Sequence, residues 1–262
     1  MIKDISHIPV LNYHKVTNQK DFGITRILPA CFEKQINIIL ELGYTPITFK
    51  HLVRQHSLPE KPVIITFDDG YNCIYHHVLP LLLKYHVKVV IFIVTNYIGK
   101  VNSWEGISLQ KKFRHLDRKE IRELHHFGCE IASHGQNHLP LAYYNRERWK
   151  KEILNSKKIL EDILGDQVIS FSYPYGLFNQ EIINFVQHAG YFFAVANIYY
   201  RKLRNQYSSF ALKRHSIYSI DNQFLFKKKL SPANGFNVIS LSEWFIQKGS
   251  ILSGIISYLK KN

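Results

Sequence analysis

The sequence predicts an α/β protein, a distorted or incomplete (β/α) barrel of parallel strands with outer helices. Three observations predict it. Apolar runs of strand length alternate with segments apolar at helical spacing along most of the 262 residues. The strand runs are apolar throughout rather than at every second position, as in sheets covered on both faces. The chemically unusual residues fall at the downstream ends of those runs, where (β/α) folds keep their sites.

The elements follow in order. Residues 8–14, IPVLNYH, read as a short strand, and 29–44 as a helix stopped by Gly43. KPVIITF (61–67) is a buried strand. Residues 76–87 form a helix that tolerates Pro80 near its first turn, and KVVIFIVT (88–95) is the next strand. A helix over 117–128 starts on Asp117, a good N-cap, and ends on Gly128, before the strand CEIASH (129–134). The long amphipathic segment 146–165 closes on Gly165. Strand 168–176, helix 179–190 and strand 191–196 complete the series. There is no low-complexity tract, linker or repeat. Residues 1–240 are therefore expected to form one barrel. Residues 241–262 are expected to form a C-terminal amphipathic helix with a basic tail, packed on the barrel or touching a membrane surface.

Lys and Arg number 34 against 20 Asp and Glu, a formal charge of +14, which favours anionic partners. No nucleic-acid-binding motif accompanies that charge, so no nucleic acid is expected as a partner. Cys31, Cys73 and Cys129 are odd in number, far apart and form no CxxC pair, which argues against a disulfide framework. The first residues lack the apolar core of a signal peptide, and no run is long enough to cross a membrane. A cytoplasmic location is the expectation.

The chemistry concentrates in ITFDDGY, Ile65 to Tyr71. Adjacent carboxylates repel each other, so their burial needs something positive nearby. In SHGQNH, His134 and His138 stand four apart, and neutral imidazoles at that spacing suit a divalent ion. Two imidazoles and one carboxylate leave a coordination position for water. The second carboxylate is then free to act as a base, and Gly70 permits the turn that brings both to one centre.

TFDDG, SHGQNH and FSYPYG, in this order, resemble the polysaccharide deacetylases of carbohydrate esterase family four. IPVLNYHKV, FEKQINIILELGY, SFSYPYG and ALKRHSI resemble the subgroup that acts on exported poly-N-acetylglucosamine of biofilms; together the motifs span residues 8 to 218. The resemblance implies a distorted (β/α) barrel and metal-dependent removal of acetyl from an N-acetylated glycan. It implies Asp69, His134 and His138 as metal ligands, most readily for Zn2+, with Co2+, Ni2+ or Mn2+ as alternatives. It implies Asp68 as base and His14 as acid, with His215 competing for that role. Arg214 is implied as the substitute for the third-motif arginine, whose place holds Ser172. The backbone N–H of Tyr175 would face the oxyanion, and Tyr173, Tyr175 and Trp104 would line the sugar site. Two rival expectations stand beside this one: a glycan-binding protein that has lost activity, and a deacetylase of an intracellular lipid-linked or small N-acetyl sugar.

Overall fold

Strand and helix alternate along the chain in the order β1 (Val10–Tyr13), β2 (Lys15–Val16), β3 (Arg26–Ile27), α1 (Pro29–Glu41), β4 (Thr45–Ile47), α2 (Phe49–Arg54), β5 (Pro62–Phe67), α3 (Leu79–Tyr85), β6 (Val90–Ile93), α4 (Arg118–His126), β7 (Glu130–Ser133), α5 (Arg146–Leu164), β8 (Ser170–Ser172), α6 (Gln180–His188), β9 (Phe193–Ala196), β10 (Leu212–Lys213), β11 (His215–Ser216) and α7 (Gln223–Leu230). The computed structural model describes residues 5, 7–21, 23–54, 57–102, 112–197 and 209–231, with scattered positions from 246 to 259.

The large sheet is parallel throughout, in the order β10-β9-β8-β7-β6-β5-β1-β11, and forms a nearly closed barrel with surrounding helices. On one edge of β5, β4 pairs with its first half and β6 with its second, while β1 lies on the other edge. That branching distorts the barrel. Closure comes from the single stretch Leu212–Ser216. Its first two residues pair with β9, its last two with β1, and Arg214 sits at the crossing point.

Side-chain alternation along each strand separates two cores. Val10, Ile64, Val90, Phe92, Ala132, Ile169, Phe193, Val195 and Leu212 cluster together and fill the barrel. Leu11, Ile65, Phe67, Ile91, Ile131, Phe171 and Ala194 belong to the layer that packs under the helices. Both faces are thus buried, which explains the uninterrupted apolar runs. Each fully buried side chain of this size contributes roughly 1.5–3 kcal/mol.

The helices begin and end on their expected signals. Asp117 caps α4 in a reciprocal capping box with Glu120, and Gly165 closes α5 in the left-handed conformation. Three expectations are corrected. The helix expected over 76–87 begins instead as a π-helical turn, Ile74–Val78, with Pro80 in the first turn of α3. The strand expected over 168–176 stops at Ser172, and a short 3-10 turn takes Pro174, which has no N–H to donate to a ladder. Residues 45–54, given no element from sequence, form β4 and α2.

The described positions between 246 and 259 are helical, and the ring of Tyr258 lies 5.1 Å from that of Tyr144. The boundary expected at residue 240 lies outside the described residues. Among the described residues, no helix is long and apolar enough to cross a membrane.

Candidate active site

Because the strands are parallel, their downstream ends share one rim, and the polar residues meet there. Strand β5 delivers two carboxylates. The Asp68 N–H donates to the Tyr13 carbonyl (2.9 Å), extending the β1–β5 pairing by one residue. Asp69 and Gly70 then turn through left-handed backbone, φ +69° and +68°. A Cβ at Gly70 would come within 2.7 Å of Ile93 Cδ1, the movable end of a side chain, so it is the left-handed backbone that calls for glycine here. His115 Nδ1 donates to the Asp69 carbonyl at 2.8 Å, holding a backbone conformation that non-glycine residues seldom adopt.

Strand β7 delivers His134. Its Nδ1 lies 2.8 Å from the Ser172 carbonyl, which only accepts, so Nδ1 carries the proton and Nε2 presents a lone pair. That Nε2 lies 3.6 Å from Asp69 Oδ1, and His138 Nε2 lies 3.4 Å from the same oxygen. One ligand atom from each of Asp69, His134 and His138 falls within 4.8 Å of the other two, and all three residues are buried. Tetrahedral bonds of about 2.0–2.1 Å to nitrogen and oxygen place neighbouring ligands about 3.3–3.4 Å apart. Two imidazoles and a carboxylate, with both Nε2 atoms 3.4–3.6 Å from one Asp69 oxygen, fit a divalent ion. Burial lowers the His134 pKa against the opposing pull of Asp68, which keeps the ring in its ligating, neutral form.

Asp68 borders this triad, its Oδ2 3.9 Å from His134 Nε2, and is held from the barrel side. Arg214 grips both its oxygens, Nη1 to Oδ1 at 2.7 Å and Nη2 to Oδ2 at 2.6 Å. Arg214 also donates to Ser172 Oγ (3.0 Å) and Asn12 Oδ1 (3.1 Å), and Asn12 Nδ2 donates to Asp68 Oδ2 (3.2 Å). Burial alone would raise the Asp68 pKa. Arg214, then His134, outweigh it and hold the carboxyl well below the usual carboxylate range. This closes the question posed by the paired aspartates: one faces the imidazoles, the other a guanidinium.

A family model described as polysaccharide deacetylase matches residues 55–194, just over half of the chain. The chain belongs to the polysaccharide deacetylase family. YxkH of Bacillus subtilis (strain 168), which carries the polysaccharide deacetylase name, is 30% identical over 188 residues, 70% of this chain and 62% of its own length. The chain thus spans less than two thirds of that relative. A Staphylococcus aureus (strain MRSA252) protein named poly-beta-1,6-N-acetyl-D-glucosamine N-deacetylase is 25% identical over 208 residues, 69% of this chain and 68% of its own. Two solved structures share the deacetylase fold. The Streptococcus pyogenes deacetylase PplD has a TM-score of 0.72 at 23% identity, over 86% of this chain and 98% of that one. IcaB from Ammonifex degensii has a TM-score of 0.66 at 21% identity, over 86% and 95%.

The remaining expected residues of this deacetylase-family chain divide. His14 follows β1 and feels Asp68, Arg214 and His134; burial pushes its pKa down to about 4 despite Asp68. His14 Nδ1 is buried with no hydrogen-bond partner among the described residues. Burial, with Lys213 and Lys229 adding to it, takes the His215 pKa down to about 3. Tyr175, at φ +59°, sets its ring 4.5 Å from that of His138. Tyr173 is a correction. Strand alternation turns Ser172 inward and Tyr173 outward, so Tyr173 is buried in the helix-side layer, stacked on Phe178 with its hydroxyl on the Phe210 carbonyl. It belongs to the core rather than to a sugar site. Trp104 lies outside the described residues. Sequence reading missed Asn12, His115 and Glu152. Asn12 carried a signal, a polar residue inside an apolar strand; the other two carried none.

Proposed function

We propose that this protein is a metal-dependent hydrolase that removes N-acetyl groups from an N-acetylated sugar polymer and releases acetate. The observation that carries the reading is the convergence of Asp69, His134 and His138 beside an Arg214-held Asp68 on one barrel rim. A polymer of N-acetylglucosamine is the substrate class favoured, because the S. aureus relative is named for it.

Asp69, His134 and His138 would hold the ion; two imidazoles and a carboxylate suit zinc, with cobalt, nickel and manganese as alternatives. Bound there, the ion supplies Lewis-acid chemistry, acidifying water and polarising a carbonyl oxygen. Asp68, ionised throughout the neutral range, accepts the proton of the attacking water. Arg214 and Asn12 fix the direction of its lone pairs. The proton passes from Asp68 to His14, whose ring feels the Asp68 charge. His14 gives that proton to the amine nitrogen as the C–N bond breaks. The Tyr175 backbone N–H faces the oxyanion, and its ring gives the sugar an apolar surface beside His138. Water adds its hydroxyl to the acyl carbon, and the products are acetate and a free amine.

The test is acetate release from N-acetylglucosamine oligomers by zinc-loaded protein, with a chelator-treated control. Stoichiometric zinc binding without acetate release from any N-acetylated sugar would overturn the reading.

A further inference from the structure

Two of the candidate ligands share one short loop, His134 to His138, and a buried carboxylate from another element grips it. Glu152, on α5, is only 2% exposed. Its Oε2 accepts the backbone N–H of Gln136 (3.0 Å) and of Asn137 (2.7 Å), and its Oε1 accepts the Asn137 side-chain amide. The loop's carbonyls are held from the opposite side: the Thr95 N–H donates to Gly135 O (3.1 Å) and the Asn96 N–H to Gln136 O (2.9 Å). The loop needs this hold. Gly135 and His138 both take left-handed backbone, φ +78° and +52°. A Cβ at Gly135 would lie 3.5 Å from Glu152 Oε2, so carboxylate and loop are in close contact.

We infer that Glu152 is a positioning residue for the ion site: by gripping the backbone between His134 and His138 it fixes the separation of the two imidazoles and thereby sets divalent-ion affinity. The inference rests on the metal-dependent reading above. Ligands held in place before binding need no ordering when the ion arrives. With the grip released, the left-handed His138 must be reordered at the expense of binding. Glu152 touches neither Asp68 nor Arg214 through any hydrogen bond in the site, so its effect falls on affinity for the ion.

The experiment compares wild type, Glu152→Gln and Glu152→Ala. The zinc dissociation constant is read by competition with a chromophoric chelator, and the melting temperature is read on each metal-free protein. The expected result is zinc binding weakened about 10- to 100-fold in Glu152→Ala, the range found when a partner that orients a metal ligand is lost. Glu152→Gln falls between, since its one oxygen still accepts the two backbone N–H groups while its amide faces the Asn137 donor. Should Glu152→Ala fail to fold, Glu152→Gln decides alone. Lower melting temperatures with wild-type zinc affinity would overturn the inference and leave Glu152 a structural residue. If wild-type protein itself binds no zinc, the ion-site reading fails, a different result from equal binding by all three proteins.

Discussion

Arg214 and Asp68 meet through two parallel hydrogen bonds, 2.7 and 2.6 Å long, between residues 146 positions apart in the chain. The pairing depends on barrel closure, because Arg214 lies where the chain passes from β9 to β1. Both residues are buried. Removing one partner leaves the other charge uncompensated, so Arg214→Ala is expected to cost about 3–5 kcal/mol of stability. Arg214→Lys rescues little, because an ammonium cannot make the two-pronged contact. Chemical denaturation of both variants checks this; wild-type stability in Arg214→Ala would contradict it.

The same pair sets an acid limit. Asp68 is depressed in the folded state, so its contribution is fully present above its unfolded pKa of about 3.9 and is lost as pH falls toward the folded value. Metal-free protein is expected to lose stability between pH values of about 5 and 3, and Asp68→Asn to lose less over that window. Urea unfolding at both ends of the window measures the difference. Equal losses in the two proteins would show that other carboxylates govern the acid limit.

Asn12 bonds both members of the pair, at 3.2 Å to Asp68 and 3.1 Å to Arg214. Asn12→Leu keeps the branched shape and removes both bonds, together with the one that Asn12 Oδ1 accepts from Thr66 Oγ1 (3.2 Å). Under the proposed function, kcat is expected to fall about 10- to 100-fold through misdirection of Asp68, with zinc affinity retained because Asn12 touches no candidate ligand. Steady-state kinetics beside a zinc titration separate the two; a drop in zinc affinity would contradict the assignment.

Gly70 makes a steric test. Gly70→Ala adds a Cβ 2.7 Å from Ile93 Cδ1 at a left-handed position. The conformation alone costs about 1–2 kcal/mol, and the contact adds to it. Ile93→Val in the same background removes that methyl and is expected to recover part of the melting temperature. No recovery would place the cost in the backbone alone.

Much of this was legible in the sequence because parallel strands buried on both faces write continuous apolar runs, and because polar residues at their ends stand out against them. Asp68, Asp69, His134 and His138 were found that way. What was hidden depends on closure and alternation. The two-residue strands on either side of Arg214 are too short to leave a periodic signal. The inward Ser172 and outward Tyr173 differ only in the register of a three-residue strand, so Tyr173 was misplaced. Glu152 lies on the buried side of a long charged helix, where nothing in the sequence distinguishes it from the glutamates that face water. His115 acts through a backbone carbonyl distant in sequence, which leaves no local trace.

The central claim is that Asp69, His134 and His138 grip one cation. A crystal structure of zinc-loaded protein, with the ion located by its anomalous scattering, tests it most directly. The expected result is one ion within about 2.0–2.2 Å of an Asp69 carboxylate oxygen and of Nε2 of both His134 and His138. An ion bound elsewhere, or Asp69 turned away from both imidazoles, would contradict it.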